Sequence, residues 1–155
     1  MGIELSQIKS GLEKTQAVPG RMVISKTKLG MTLIDDSYNA NPSSVAVALN
    51  LLAHYPGQRI FVMGDMGELA QNALNYHRQI GQLAKNLNID FVYTCGDLSK
   101  ETAKAFGMNA KHYANHRELI LALKRYLPEK VTILIKGSRN AHMEKVAAAL
   151  LDHAV

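Results

Sequence analysis

The sequence predicts an α/β fold: a doubly wound, mostly parallel sheet with helices on both faces. Short apolar runs bounded by turn residues alternate with segments of helical period, the pattern of strand–helix units wound into a parallel sheet. The runs Ile60-Phe61-Val62-Met63 and Ile133-Leu134-Ile135 are apolar at every position, as strands covered on both faces require. The stretch Asp35-Asp36-Ser37-Tyr38-Asn39-Ala40-Asn41-Pro42 follows the apolar run 31–34 and precedes a long helical segment. It therefore falls beyond the carboxyl end of a strand, where open α/β sheets bind ligands.

Taken in order, the first 20 residues stand apart. Ile3, Leu5, Ile8 and Leu12 suggest a short amphipathic helix ending near Gly11, with no strand before it. Val18-Pro19-Gly20 then interrupts the chain. Residues 1–20 are read as the tail of another domain with a hinge, and residues 21–155 as the domain itself. Strands are predicted at 22–25, 31–35, 59–63, 91–95, 111–113 and 132–135. Helices are predicted at 42–54, 72–86, 100–106, 116–126 and 141–153. Asn41 suits an N-cap and Pro42 the first helical position, where its missing N–H costs nothing. Val45, Ala48, Leu49 and Leu52 give that helix a broad apolar face for the sheet.

Two further strand ends carry polar groups. Gly64-Asp65-Met66-Gly67-Glu68-Leu69 follows one apolar run, and Lys136-Gly137-Ser138-Arg139-Asn140 follows another. The second sets a cation, a hydroxyl and a guanidinium beside free backbone N–H groups, an arrangement suited to a carboxylate or phosphate. Asp65 and Glu68 can equally be helix-cap acids, and His77, beside Arg78 in a predicted helix, reads by default as solvated surface. His112 and His116 straddle a strand end and a helix start, so they do not share a face as metal ligands need. No metal site is expected in this chain.

Composition narrows the classes. With 155 residues, 47% hydrophobic and 20% charged, the chain is one globular domain with a real core. No apolar stretch approaches the ~20 residues of a membrane helix, and the N-terminus lacks the apolar core of a signal peptide. Cys95 is the only cysteine, which excludes an internal disulfide and fits a reducing compartment. The expectation is a cytoplasmic protein without membrane insertion. Net charge is +5, from basic residues scattered along the chain, and a phosphorylated small molecule fits that balance better than nucleic acid. The chain has no G-x-x-x-x-G-K-[ST] loop, no G-x-G-x-x-G fingerprint and no G-x-S-x-G elbow. Ligand-facing groups without a triphosphate cradle suggest part of an active site.

Five motifs occur in a set order: Pro19-Gly20-Arg21-Met22, the Asp35–Pro42 stretch, Gly64-Asp65-Met66-Gly67-Glu68-Leu69, His77 with Ile80-Gly81, and Lys136-Gly137-Ser138-Arg139 with Met143-Glu144. Together they resemble the C-terminal domain of the Mur ligases, a Rossmann-like fold, over residues 2 to about 151. The loops Tyr38-Asn39-Ala40-Asn41-Pro42 and Gly96-Asp97-Leu98-Ser99 favour the branch that joins D-Ala-D-Ala to UDP-MurNAc-tripeptide. The branch adding the third residue typically carries Tyr-Ala-His-x-Pro and Asp-Asn-Pro-Arg at these places.

The resemblance implies an ATP-dependent amide ligase of peptidoglycan synthesis, in which ATP phosphorylates the tripeptide carboxylate and the dipeptide amine attacks the acyl phosphate. It also implies that the phosphate loop and the Mg2+ ligands belong to a central domain. This chain then reads as an excised C-terminal domain, inactive alone, lacking the N-terminal and central domains. By the same resemblance Arg21 reaches the ATP phosphates, Asp36 accepts from the ribose hydroxyls, and Tyr38, Asn39 and Asn41 belong to the nucleotide side. Lys136, Ser138 and Arg139 face the peptide substrates, and Asp65, Glu68 and His77 line the same cleft. Two alternatives stay open: a sister ligase of the third-residue-adding or folylpolyglutamate synthetase type, and a receiver-like signalling domain. Receivers also place an acid pair, a further aspartate and a lysine at strand ends, as Asp35-Asp36, Asp65 and Lys136 do.

Overall fold

A computed structural model describes residues 18–28, 30–127 and 130–152, so the expected helix within residues 1–20 lies outside the described residues. Six strands form one sheet: β1 (Val23–Lys26), β2 (Thr32–Asp36), β3 (Gln58–Met63), β4 (Phe91–Cys95), β5 (Ala110–Tyr113) and β6 (Val131–Lys136). Their order is β1-β2-β6-β3-β4-β5. β2, β6, β3, β4 and β5 run parallel. Only the edge strand β1 is antiparallel, folded back on β2 by a hairpin. Thr27 closes that turn: its N–H donates to Met31 O at 2.9 Å and its Oγ1 accepts Met31 N–H at 3.1 Å.

Strand periodicity sorts the core into two layers. Ile34, Phe61, Met63, Val92 and Leu134 point to one face. There they meet α1 (Pro42–Ala53), α2 (Ala73–Asn86) and the end of α3 (Lys100–Phe106). Leu33, Ile60, Val62, Tyr93, Ile133 and Ile135 point to the other face, against α4 (His116–Lys124) and α5 (Glu144–Leu151). Every residue of β6 is buried, which makes it the central strand and explains its unbroken apolar run.

The predicted elements stand with small shifts at their ends. α1 begins as expected: Asn41 accepts Ser44 N–H, Ser44 Oγ accepts Asn41 N–H, and Pro42 opens the helix, a cap worth about 1 kcal/mol. α5 starts at Glu144, not at 141, because a 3₁₀ turn over Arg139–Ala141 and a left-handed His142 (φ +50°) intervene. That detour packs Ala141 and Met143 onto bare backbone. A Cβ on Gly64 would lie 2.7 Å from both side chains.

α2 and α3 are in still closer contact. A Cβ on Gly81 would lie 2.3 Å from Thr102 O and 2.8 Å from Ala105 Cβ. Gly81→Val should force the two helices apart and destabilise the chain by roughly 1–3 kcal/mol, seen as a lower urea midpoint. An unchanged midpoint would contradict this packing.

Candidate nucleotide and substrate site

Strand register brings the polar loops to one edge of the sheet. Asp36 at the end of β2 pairs in register with Lys136 at the end of β6, whose other neighbour is Met63 at the end of β3. The loops after β2, β3 and β6 therefore meet at the carboxyl ends of adjacent parallel strands. This is the point where the strand order reverses and ligands collect.

Lys136 differs from its expected role. Its side chain is 2% exposed, and Nζ lies 2.6 Å from Oδ2 of Asp36, a side chain 14% exposed. The same ammonium donates to Asn39 O at 3.0 Å. It is the buried counter-charge of Asp36, not a free cation turned to the peptide side. Burial without a partner would cost a lysine several kcal/mol, so the partner fixes where it points. Asp36 Oδ1 meanwhile accepts Met22 N–H at 3.2 Å, tying the start of β1 to the end of β2.

Above this pair sits Tyr38, 38% exposed. The guanidinium of Arg21 lies 4.2 Å from its ring centroid and that of Arg139 lies 5.1 Å away. Residues assigned to the nucleotide side and to the peptide side thus share one aromatic ring. A pocket of about 380 Å³ opens here, lined by Gly20, Asp35, Ser37, Tyr38, Arg139 and Glu144 among others. Gly20, at φ +71°, accepts Tyr38 N–H at 2.9 Å; a Cβ there would come within 3.0 Å of that nitrogen. Asn39 and Asn41 are exposed. The side-chain oxygen of Asn39 accepts Ala40 N–H, and that of Asn41 accepts from Ser43 Oγ and Ser44 N–H.

Asp65, Glu68 and His77 separate into three environments. Asp65 staples loops together: its carbonyl accepts Ser138 N–H at 2.8 Å, while Oδ1 accepts Leu98 N–H at 3.0 Å and Ser99 N–H at 2.7 Å. The carboxylate thereby faces the N-terminus of α3, where negative charge is favoured. Ser138 is almost fully buried beneath this contact. Glu68 is exposed, in a left-handed conformation at φ +58°.

His77 corrects the expectation of a solvated side chain: it is 0% exposed. Nε2 accepts Met66 N–H at 3.2 Å, Nδ1 lies 3.1 Å from Thr102 Oγ1, and that hydroxyl donates to His77 O at 3.0 Å. The three bonds agree only if the ring is neutral and protonated on Nδ1. His77 supports the loop from behind and has no surface to offer a substrate. The sequence signal was present, because His77, Ile80, Gly81 and Ala84 fall on one helical stripe and are all buried.

A second pocket of about 280 Å³ lies beside the first, lined by Asp65, Cys95, Asp97, His116, Asn140 and His142 among others. Asp35 belongs to the stretch marked from sequence as a ligand site, whereas Asp97, just past the end of β4, and His142, beyond the 3₁₀ turn after β6, were not singled out as pocket residues. Cys95 is buried, and burial pushes its thiol pKa upward, reinforced by the charges of Asp65 and Glu118. His112 bonds Thr94 while His116 lines this pocket. Among the described residues, no group of three or more His, Cys, Asp or Glu side chains forms a metal cage.

Fold and site together define a Mur ligase domain. The family described as Mur ligase, glutamate ligase domain, matches residues 20–139, and the chain belongs to that family. It is 41% identical to the UDP-N-acetylmuramoyl-tripeptide–D-alanyl-D-alanine ligase of Escherichia coli (strain K12), across 99% of this chain but 34% of that protein. Among solved structures it resembles MurF from Acinetobacter baumannii with a TM-score of 0.84 and 30% identity, covering 97% of this chain and 34% of that one. It also shares its fold with MurF ligase from Thermotoga maritima, solved in complex with ADP, at a TM-score of 0.77 and 24% identity. That match covers 91% of this chain and 32% of the other. The chain thus spans about a third of the length of these relatives. Family membership removes the receiver-like alternative. No helix among the described residues is long and apolar enough to cross a membrane.

Burial lowers the pKa of His77 below its ordinary 6.5, against an upward pull from Asp65 and Glu101. The unfolded chain then binds the extra proton first. This part of the stability is full above about pH 6.5 and is lost as pH falls through that value towards the folded pKa. His77→Gln should cost roughly 1–3 kcal/mol at pH 8 through the Met66 N–H and should flatten the loss between pH 8 and 5.5. Urea titrations with parallel pH dependence in both proteins would refute the neutral, buried ring.

Proposed function

We propose that this chain is the C-terminal, nucleotide- and substrate-contacting domain of the ATP-dependent ligase that joins D-Ala-D-Ala to UDP-MurNAc-tripeptide in peptidoglycan synthesis. Residues 1–20 would be the terminal helix and hinge of a preceding ATP-binding central domain, and residues 21–155 the domain itself. The observation that carries the reading is the match to the E. coli ligase of that name along 99% of this chain. The strand-end site agrees with it chemically.

The residues present fit a nucleotide. Tyr38 offers an exposed aromatic face, Arg21 supplies an exposed cation, and the Asp36 carboxylate keeps lone pairs beyond those used by Lys136 and Met22. ATP, when bound, supplies the phosphoryl group that activates the tripeptide carboxylate. On this chain Arg21 would meet the phosphates, Asp36 the ribose diol, and Asn39 and Asn41 the edge of the base. Ser138 and Arg139 would sit towards the substrates, with Arg139 the accessible cation and Ser138 shaping the loop. Asp65 and His77 would hold the β3 and β6 loops in place, and Glu68 stands at their exposed rim. Mg2+ would be held by the central domain. Closure of this domain over the cleft would exclude water from the reacting carboxylate.

The test is amide formation by the complete ligase containing this chain, with D-Ala-D-Ala as amine donor. Turnover with a free amino acid instead of the dipeptide would point to a sister ligase. Arg21 is exposed, so Arg21→Ala should leave the melting temperature unchanged while lowering kcat/KM by roughly a hundredfold. Wild-type kinetics in a folded Arg21→Ala enzyme would remove Arg21 from the site. Asp36→Ala is a poorer probe, since it leaves buried Lys136 with neither counter-charge nor acceptor at that position; Asp36→Asn also removes the charge but keeps an acceptor there.

A further inference from the structure

Lys136 matches neither a surface lysine nor a substrate-binding one. Its side chain is 98% removed from solvent, and the ammonium is already bonded to Asp36 Oδ2 at 2.6 Å and Asn39 O at 3.0 Å. Those two acceptors lie at either end of the four-residue segment Asp36-Ser37-Tyr38-Asn39, so one cation closes the base of that loop. From the opposite side Gly20 O holds Tyr38 N–H at 2.9 Å, and Asp36 Oδ1 holds Met22 N–H at 3.2 Å. Met22 is itself in a left-handed conformation, φ +51°, which side-chain-bearing residues adopt only when their surroundings hold them there. Hinge strap, loop and central strand thus meet at one carboxylate, and Lys136 sets where that carboxylate points.

We infer that Lys136 is a positioning residue for nucleotide binding: it touches no substrate, and it presets the Asp36 carboxylate and the 36–39 loop for a nucleoside sugar diol. The inference deepens the function proposed above and rests on it for the nucleotide. A carboxylate offers about four lone-pair sites. Lys136 and Met22 occupy one on each oxygen, leaving two for a pair of vicinal hydroxyls. A group held in its bound orientation by a buried partner loses little freedom on binding, and preorganisation of this kind appears as affinity. Removing Lys136 should therefore weaken nucleotide binding through Asp36 and leave the UDP-linked peptide untouched. A lysine serving the peptide side would do the reverse.

Calorimetric titration of the complete protein with ADP, and separately with UDP-MurNAc-tripeptide, tests this with Lys136→Met, Asp36→Asn and the double variant. Lys136→Met should weaken ADP by about tenfold or more and change the tripeptide affinity by less than about twofold. The double variant should bind ADP no worse than the weaker single one, because both substitutions act on one carboxylate. Losses that multiply, or a loss confined to the tripeptide, would overturn the inference. Should the variants fail to fold, the unmutated protein labelled with 15N-lysine gives a second readout. The Lys136 ammonium signal should be protected from exchange, shift on addition of ADP and stay fixed on addition of tripeptide. A shift with tripeptide alone would assign Lys136 to the peptide. ADP binding without turnover of D-Ala-D-Ala would fault the proposed reaction and not the role of Lys136.

Discussion

The buried ion pair between Lys136 and Asp36 is the constraint from which the working edge of this domain follows. An ammonium at the end of a wholly buried strand must be neutralised there or not be there at all. The neighbouring strand supplies the carboxylate because the parallel register puts position 36 beside position 136. Once formed, the pair dictates more than its own geometry. Asp36 has a second oxygen, and it captures the backbone where the chain enters β1. Lys136 has further protons, and one goes to the loop carbonyl of Asn39. A single electrostatic requirement therefore binds the entry strap, the first loop and the central strand into one unit. Motion of the strap relative to the sheet has to break a hydrogen bond to a charged group, which is about twice as strong as a neutral one.

A second unit lies beside the first, built on backbone contact instead of charge. Gly64 N–H donates to Lys136 O at 2.8 Å, and Asp65 joins the β3 loop to Ser138 on one side and to Leu98 and Ser99 on the other. The close approach depends on missing side chains. Cβ atoms on Gly64 and Gly137 would come within 2.7 Å and 2.6 Å of Met143 Cγ. Behind these loops His77 fills the space between α2 and α3 and turns its ring to Met66 and Thr102. The three βα loops thus cannot relax one at a time. Loops tied together in this way are ordered before any ligand arrives, so their ordering entropy is not charged against its affinity.

Much of this was legible in the residues. Every predicted strand and helix outside the first 20 residues is present, because unbroken apolar runs and a capped amphipathic helix are local signals. The loop 35–42 was recognisable as a site for the same reason: Asn41-Pro42 fixes a helix start and hence a strand end before it. Two misreadings share a cause of the opposite kind. Lys136 pairs with a residue 100 positions away, and no local pattern reveals that partner, so a lysine at a strand end reads as available. His77 reads as polar surface until Ile80, Gly81 and Ala84 are seen to share its stripe and Gly81 is seen to admit α3. The late start of α5 escaped because Ala141, His142 and Met143 carry no breaker. The left-handed turn at His142 comes from packing against glycine backbone, a tertiary effect.

The charge left over at the rim indicates what the site can attract. Asp35 is engaged by Ser37, whose Oγ and N–H both donate to it, and Glu144 lies 3.3 Å from His142. Asp36 is neutralised by Lys136. Among the described residues, Arg21 and Arg139 lie over the Tyr38 ring with no carboxylate partner at ion-pair distance. The acids of the pocket are thus largely satisfied while its two guanidiniums keep their hydrogen-bond donors. Stacking on an aromatic face holds such a group in place without using its N–H groups. A polyanion entering this rim finds cations that are oriented and only partly desolvated, on a chain of net charge +5. One pair of arginines around one tyrosine can thus hold a single polyanion or set two against each other.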